Sequence, residues 1–217
     1  MTKCDFCDEF AGGQQNAYAQ YYGKLRNRSI LVTVRFRVVP TLGQLVEGHL
    51  LIVPTEHSCA LADLPDDQIQ ELENLSQDLR GVLRSTYGQC VFFEHGIRTL
   101  GSGGCGIDHA HLHAVPLAAE GVLPVLKDRF GGCGLQSLKE IRRAVPQDSS
   151  YLFFEDSSQR RHAFAVEHLP SQYLRKLIAQ EIGKADWDWR QCGYEPELIS
   201  TIERLSPTLA HLSDDGG

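Results

Sequence analysis

Three histidines alternate with apolar residues near the middle of the chain, at His109, His111 and His113. On a β-strand, alternate side chains share a face, so the sequence predicts a row of three imidazoles at steps of about 7 Å. Such a row can bind a metal ion, bind phosphate oxygens, or supply a nucleophile together with supporting hydrogen-bond donors. A single histidine would be typical of a core or surface position, whereas three at this spacing indicate a site.

A glycine-rich loop comes directly before this row. Residues 101–106 read Gly-Ser-Gly-Gly-Cys-Gly, with four glycines in six positions. Such a backbone can approach a ligand closely and point its N–H groups at an anion. Alone, the loop is more typical of a flexible turn. Next to the histidine row, it favours a phosphate ligand.

Cys4 and Cys7 form a Cys-x-x-Cys pair at the start of the chain. This spacing is found in redox pairs and in halves of zinc sites. Redox use normally needs a thioredoxin-like βαβ unit, and the sequence predicts no such unit here. Zinc needs two further ligands, for which His57 and one histidine of the row are candidates. Two packed thiols remain the alternative.

Composition excludes several classes of protein. The chain has 217 residues and a net charge of −7, which argues against non-specific binding to a nucleic-acid polymer but not against a small phosphorylated ligand. The sequence has no apolar run of the roughly 20 residues that cross a bilayer and no signal-peptide pattern. We therefore expect a cytoplasmic protein without membrane contact. Seven cysteines, an odd number, do not favour a complete disulfide framework.

The elements that would position these residues alternate between strands and one long helix. Strands are predicted at 29–39, 50–53, 91–93 and 107–115. A helix of about six turns is predicted between the second and third strands, with acidic start signals near Asp66 and an end at Gly88. After residue 116 we predict a connecting segment at 121–134, a hairpin at 151–167, and helices at 171–182 and 196–205. The fold class is therefore predicted to be α+β.

The sequence resembles the histidine triad (HIT) superfamily of nucleotide-binding hydrolases and transferases. Residues 109–115 match every position of its signature, His-φ-His-φ-His-φ-φ, where φ is apolar. Residues 48–57 are similar to its Gly-His-x-Leu-φ-φ-Pro-x-x-His element, and the opening cysteine pair is similar to the start of many bacterial members. The resemblance implies a HIT-like antiparallel sheet with a long helix. It implies a nucleotide-binding core over 1–116 and leaves 117–217 as a C-terminal α/β extension, which can pack on the same core.

The resemblance also implies catalytic roles. His111 is expected to attack the α-phosphorus of a nucleotide and form a nucleotidyl-histidine. His113 is expected to contact the phosphoryl oxygens and the leaving-group side, and His49 to support the hydrogen bonding of the triad. The function implied is a hydrolase of the nucleoside phosphoramidate or dinucleoside polyphosphate class. A nucleotidyltransferase or phosphorylase, and a non-catalytic zinc-stabilised nucleotide-binding module, are the alternatives.

Further residues take roles by the same resemblance. The side chains of Cys4, Cys7, His57 and His109 are expected to bind a structural zinc ion. A homodimer, paired through the sheet edge and the long helix, is also implied. Six residues are expected to contact the nucleotide substrate: Thr41, Leu42, Glu94, Gly104, Cys105 and Gly106. Glu94 replaces a family asparagine, Cys105 and Gly106 replace a Gln-Ser or Gln-Thr pair, and Thr41 replaces an acidic or amide residue. These departures keep the non-catalytic alternative open.

The extension adds two basic doublets and a tryptophan pair. Arg142-Arg143 and Arg160-Arg161 are expected to be solvated surface, and a sharper hypothesis is that one doublet contacts the distal phosphates of the substrate. Trp187 and Trp189 are expected to pack between the extension and the core rather than stack on a base.

Overall fold

The computed structural model describes residues 4–22, 27–98, 106–192 and 195–213. Its strands form a single antiparallel sheet in the order β1-β2-β3-β5-β4-β7-β8-β6. The strands are β1 Leu31–Val32, β2 Phe36–Pro40, β3 Leu50–Pro54, β4 Val91–Gly96, β5 Leu112–Val115, β6 Cys133–Leu135, β7 Ser150–Glu155 and β8 Arg161–Val166. The predicted α+β class, with an antiparallel sheet and a long helix, is confirmed.

Seven α-helices lie in the described ranges. They are α1 Asp5–Phe10, α2 Ala17–Tyr22, α3 Asp66–Tyr87, α4 Val122–Phe130, α5 Ile141–Ala144, α6 Tyr173–Glu181 and α7 Glu195–Leu209. The long helix α3 matches the predicted one, beginning at acidic residues and ending before Gly88, whose N–H caps the carbonyl of Arg84. None of the helices in the described ranges combines the length with the apolar character that a membrane crossing takes.

The two faces of the sheet carry separate hydrophobic cores. On one face the buried side of α3, including Leu72 and Leu79, packs against strand residues such as Phe92. On the other face α4 and α6 cover strand residues such as Phe154 and Phe164. Each fully buried aliphatic or aromatic side chain contributes about 1.5–3 kcal/mol of hydrophobic free energy. The sheet is therefore fixed from both sides.

The predicted strand over 29–39 is wrong in extent, because the chain turns back within it. Residues 33–35 form a tight turn in which the N–H of Phe36 donates to Thr33 Oγ1 (3.0 Å) and the N–H of Thr33 donates to the carbonyl of Phe36 (2.9 Å). β1 therefore pairs with β2. Val34, which the alternation placed in the core, is 87% exposed at the tip of this turn.

The predicted strand over 107–115 is also too long, since β5 begins only at Leu112. Before that point the backbone leaves the ladder: the N–H of Ala110 donates to the carbonyl of Ser58 at 2.6 Å. Of the three histidines, only His113 is paired in the sheet, facing Leu51 on β3 and Phe93 on β4.

The C-terminal extension continues the sheet of the core. β4 pairs with β5 on one side and along its whole length with β7 on the other, so that Phe92 faces Glu155 and Gly96 faces Tyr151. The predicted hairpin is present as β7 and β8. The segment 121–134, predicted as a connection, instead contains α4 and the edge strand β6. The division at residue 116 stays a prediction, and the two parts share one sheet.

A buried cluster of charges also joins the two parts. Glu155 on β7 accepts hydrogen bonds from Arg80 on α3 and from Arg161 on β8. Arg161 also pairs with Glu73 on α3. Breaking a buried pair by removing one partner typically costs about 3–5 kcal/mol. This cluster therefore couples the long helix of the core to the hairpin of the extension.

Candidate active site and metal centre

A pocket lies where the histidine row meets the extension. Its lining comes from three parts of the chain. The N-terminal part supplies Phe6 and Arg28, and the extension supplies Arg175 and Trp189. The sheet and its loops supply the rest: Thr41, Leu42, Leu51, Ile107, His111 and His113.

The ring of His111 is held in one tautomer by its own backbone. Its Nδ1 lies 2.6 Å from the carbonyl oxygen of His109. A carbonyl can only accept, so Nδ1 carries the proton and Nε2 carries the lone pair. In a ring that lines the pocket, this arrangement offers a nucleophilic nitrogen.

The ring of His113 has the opposite tautomer, set through His49. The N–H of Leu45 donates to His49 Nδ1 at 3.3 Å, which leaves the His49 proton on Nε2. His49 Nε2 lies 2.9 Å from His113 Nδ1 and donates to it. His113 therefore keeps its own proton on Nε2, so that this ring can donate to a ligand in the pocket.

Burial keeps these imidazoles neutral. It lowers the pKa of His111 to about 4, and the positive charge of Arg175 adds to the decrease. The pKa values of His49 and His113 are lowered well below the usual 6.5, first by burial and then by neighbouring positive charge. At neutral pH, all three rings are therefore uncharged, as a nitrogen nucleophile requires.

His95 is a fourth buried histidine on the same side of the sheet, and the sequence did not single it out. Its position on β4, two residues after Phe93, places it on the face that carries His113. Burial lowers its pKa to about 4, and His111 contributes to the shift. Its Nδ1 has no hydrogen-bond partner among the described residues.

Four side chains converge beside the pocket into a cluster that can hold a metal ion. The ligand atoms of Cys4, Cys7, His57 and His109 all lie within 4.8 Å of one another. Cys4 Sγ is 3.3 Å and Cys7 Sγ 3.7 Å from His109 Nδ1, and Cys7 Sγ is 3.5 Å from His57 Nδ1. A tetrahedral zinc site has an edge of about 3.6 Å between a thiolate sulfur and an imidazole nitrogen. These residues therefore fit the ion.

The remaining atoms of the cluster support metal binding. His109 Nε2 donates to the carbonyl of Pro54 at 2.9 Å, which leaves Nδ1 unprotonated and directed at the two sulfurs. Burial raises the pKa of Cys4 to about 11, so a thiolate there needs a cation beside it. The row of three histidines is thus divided: His109 turns to the cysteines, while His111 and His113 line the pocket.

Only some of the residues predicted to bind substrate line the pocket. Thr41 and Leu42 line the pocket. Gly106 lies close to it, and its carbonyl accepts a hydrogen bond from Arg190 Nη2 at 3.0 Å. Gly104 and Cys105 lie outside the described residues.

Glu94 lies on the other face of the sheet, away from the pocket. It follows Phe93, which faces the same side as His113, so its side chain points to the opposite side. Its carboxylate accepts hydrogen bonds from the N–H of Leu61 (2.9 Å) and from the hydroxyl of Tyr151. Burial raises its pKa to about 8. The structure therefore gives Glu94 a role in packing β4 against residues 61–62.

The extension contributes to the site through residues that sequence reasoning did not choose. Arg175 on α6 and Trp189 line the pocket, whereas Trp189 was expected only to pack. The basic doublets lie elsewhere: Arg160 pairs with Asp156, and Arg161 belongs to the buried cluster with Glu155. The hypothesis that the second doublet contacts distal phosphates is therefore not supported by its position.

Comparison with known families supports this description. Residues 29–124 match the family model described as "Protein similar to CwfJ C-terminal". The match covers less than half of the chain. It includes His49, His57 and all three histidines of the row. It ends before β7, so most of the extension, with Arg175 and Trp189, lies beyond the match.

Several curated proteins are similar to this chain. The chain is 24% identical over 176 residues to "CWF19-like protein 1" of Homo sapiens, covering 75% of this chain and 31% of that protein. It is 26% identical over 159 residues to "CWF19-like protein 2 homolog" of Caenorhabditis elegans, covering 67% of this chain and 34% of that protein. The chain thus spans about a third of the length of these relatives.

Solved structures similar to this chain include a zinc-bound histidine triad family protein from Mycobacterium smegmatis. It is 18% identical, with a TM-score of 0.42, and the match covers 54% of this chain and 77% of that one. A HIT family protein from Bacillus anthracis is 15% identical with the same TM-score, over 55% of this chain and 76% of that one.

Proposed function

We propose that the chain is an enzyme that cleaves nucleotides at the α-phosphorus through a nucleotidyl-histidine intermediate. The observation that carries the proposal is the hydrogen bond from His111 Nδ1 to the carbonyl of His109, which leaves the Nε2 lone pair on a neutral ring in the pocket. A chain selected only to bind nucleotide has no need of a fixed nucleophilic tautomer beside a fixed hydrogen-bond donor.

In the proposed reaction, His111 Nε2 attacks the α-phosphorus. The N–P bond forms as the bond from phosphorus to the leaving group breaks. His113 Nε2–H, on a neutral ring, donates a hydrogen bond to the departing atom, which takes its proton from water. The adduct leaves positive charge on the His111 ring, which the His109 carbonyl stabilises through Nδ1–H. Water then attacks the phosphorus, the N–P bond breaks with its electron pair returning to His111 Nε2, and the proton from the water is released to solvent.

The metal held by the cysteine-histidine cluster would be zinc, in a structural role. Two thiolates and two imidazoles fill its four positions and leave none open for a substrate. The cluster holds α1 against the residues before β5, and Phe6 of α1 lines the pocket. Zinc would therefore shape one wall of the site without taking part in the chemistry.

The test is intact-protein mass spectrometry after brief incubation with nucleoside phosphoramidates and dinucleoside polyphosphates. We expect a covalent adduct of nucleotidyl mass on the wild type and none on His111→Ala. The exposed His211 offers a matched control, since His211→Ala should form the adduct as the wild type does. A wild type that forms no adduct and releases no mononucleotide from any substrate would contradict the proposal.

A second candidate is a nucleotide-binding module without turnover. It is favoured by the similarity to CWF19-like proteins. This candidate predicts that His111→Ala binds nucleotide as tightly as the wild type and that neither protein forms an adduct. The same mass spectra, combined with binding measurements, therefore separate the two candidates.

Assembly as a homodimer stays a prediction. Both neighbours of β4 come from the same chain, and the outer strands β1 and β6 have two and three residues. A dimer through the sheet would have to use one of these short edges. Light scattering of the full chain measures its mass in solution.

A further inference from the structure

Buried arginines divide into two kinds in the described ranges. Three of them pair with a carboxylate: Arg28 with Glu9, and Arg80 and Arg161 with Glu155. The fourth is Arg175, which is 3% exposed and has no carboxylate within ion-pair distance among the described residues. Arg175 is therefore a buried cation without a direct ion-pair partner among the described residues, and the charge of Asp188 acts on it only from beyond ion-pair distance.

Arg175 is held rigidly, but by neutral groups. Its Nη2 donates to the carbonyls of Gly43 and Trp187, and its Nε also donates to Trp187. Its Nη1 is buried and has no hydrogen-bond partner in the described part of the chain. Burial lowers its pKa to about 10, so the guanidinium is still protonated at neutral pH.

The position of Arg175 connects it to the reacting residues. It lines the same pocket as His111 and His113. Its charge is also one of the causes that lower the pKa values of both rings. The positive charge of the guanidinium therefore lies close enough to His111 and His113 to affect both rings.

A buried charge without a partner carries a desolvation cost of several kcal/mol, and a ligand anion in the pocket would offset that cost. We propose that Arg175 Nη1 binds a phosphoryl oxygen of the nucleotide. The C-terminal extension would then complete the phosphate site beside His111 and His113. A guanidinium suits this role because its planar donors match phosphate oxygens. The proposal rests on the proposed function for the identity of its ligand as a nucleotide.

The experiment compares the binding of AMP and adenosine by titration calorimetry. Adenosine lacks the phosphate, so the ratio of the two affinities isolates the phosphate contact. For Arg175→Met we expect AMP affinity to fall by about 10- to 100-fold, with adenosine affinity within about twofold of the wild type. Arg129 on α4 is a matched control, because Arg129→Met makes the same change away from the pocket and should leave both affinities as they are.

Arg175→Lys is the second variant, needed because Arg175→Met removes three hydrogen bonds to two backbone carbonyls and can fail to fold. Lysine keeps the charge but lacks the forked donors, so the ratio of AMP to adenosine affinity should still fall. An unchanged ratio in a folded variant overturns the proposal, as does a wild type that binds AMP no better than adenosine.

These outcomes are separable from those of the proposed function. If the wild type forms the nucleotidyl adduct and Arg175→Met keeps its AMP affinity, only the role of Arg175 is wrong. If Arg175→Met loses AMP affinity and the wild type forms no adduct, Arg175 binds phosphate in a module that does not turn over.

Discussion

Phe93 lies flat on the ring of His113, with centroids 4.2 Å apart and ring planes within 10° of parallel. The two residues face each other across the β4–β5 ladder. His49, directly before β3, fixes the same ring through the hydrogen bond to Nδ1. The orientation of the hydrogen-bond donor is thus set by the sheet itself, and a rigid element holds a catalytic group better than a loop does.

Removing the hydrogen bond from His49 should impair turnover more than binding. In His49→Leu, no donor holds the proton of His113 on Nε2, so the ring can take the wrong tautomer. We expect kcat to fall by about 10- to 100-fold, with KM within about threefold of the wild type. His49→Gln keeps an amide donor and should lose less. Steady-state kinetics check this, and an unchanged kcat in His49→Leu would refute the role.

Cys7→Ser should abolish metal binding. The variant replaces one of four ligands with a poor one, and metal content measured by elemental mass spectrometry should fall from about one zinc per chain to near zero. The melting temperature should fall as well, because α1 loses its anchor. Cys133, exposed on β6, provides the control: Cys133→Ser should keep its zinc. Full zinc content in Cys7→Ser would rule out the assigned ligand set.

Glu94→Gln should stabilise the protein in a pH-dependent way. The folded pKa of about 8 lies above the usual 4.5 of a glutamate side chain, so the folded state holds a proton that the unfolded chain releases. The contribution of Glu94 to stability is therefore greatest below about pH 4.5 and is lost as pH rises to about 8. Relative to the wild type, Glu94→Gln should gain about 1.4 kcal/mol per pH unit across this window.

Urea unfolding at several pH values between 5 and 8 measures this gain. Glu203 is exposed on α7, and Glu203→Gln should show no such slope. A pH-independent difference between Glu94→Gln and the wild type would mean that Glu94 is ionised in the folded protein.

Gly43→Ala should damage the pocket beyond its effect on stability. Gly43 has a φ of +56°, and a Cβ there would lie 2.6 Å from the Cα of Trp189. The substitution must therefore displace residues that line the pocket, including the carbonyl that holds Arg175. We expect AMP affinity and turnover to fall by at least about tenfold.

Gly183→Ala is the control that distinguishes backbone strain from displacement of neighbouring residues. Its φ is +69°, yet a Cβ there would meet nothing within 4 Å. Gly183→Ala should cost about 1–2 kcal/mol of stability and leave AMP affinity intact. Equal loss of affinity in both variants would show that the close approach at Gly43 is unimportant.

The sequence predicted the elements whose signals are local. The long helix α3 and the β7–β8 hairpin follow from signals in neighbouring residues, and Cys4, Cys7, His57 and His109 lie together as the resemblance implied. The alternation of the three histidines predicted a strand over 107–115, whereas β5 begins only at Leu112. The boundaries of the strands were predicted less well. Val34 alternates with charged residues as in a strand, but the hydrogen bonds between Thr33 and Phe36 turn the chain there instead.

Residues brought in from a distance could not be predicted. Arg175 and Trp189 look like ordinary helix and surface residues in the sequence. They reach the pocket only because the extension packs against Gly43, which precedes Arg175 by more than 130 residues. Glu94 was misplaced for a related reason. Its place in the sequence, where the family has an asparagine, indicated the pocket. The pleat of β4 instead directs its side chain to the opposite face of the sheet, where the hydroxyl of Tyr151 on β7 donates to it.

The pairing of β4 with β7 has a consequence for synthesis. Residues 92–96 pair with residues 151–155, so this side of β4 has no partner until about 60 further residues have left the ribosome. Arg80 and Glu94 also find hydrogen-bond partners in that later segment, at Glu155 and Tyr151. We therefore expect residues 1–116 to reach their final packing only after the later segment has been made. A stalled nascent chain ending near residue 116 should be sensitive to protease and gain protection only once the β7–β8 hairpin has emerged.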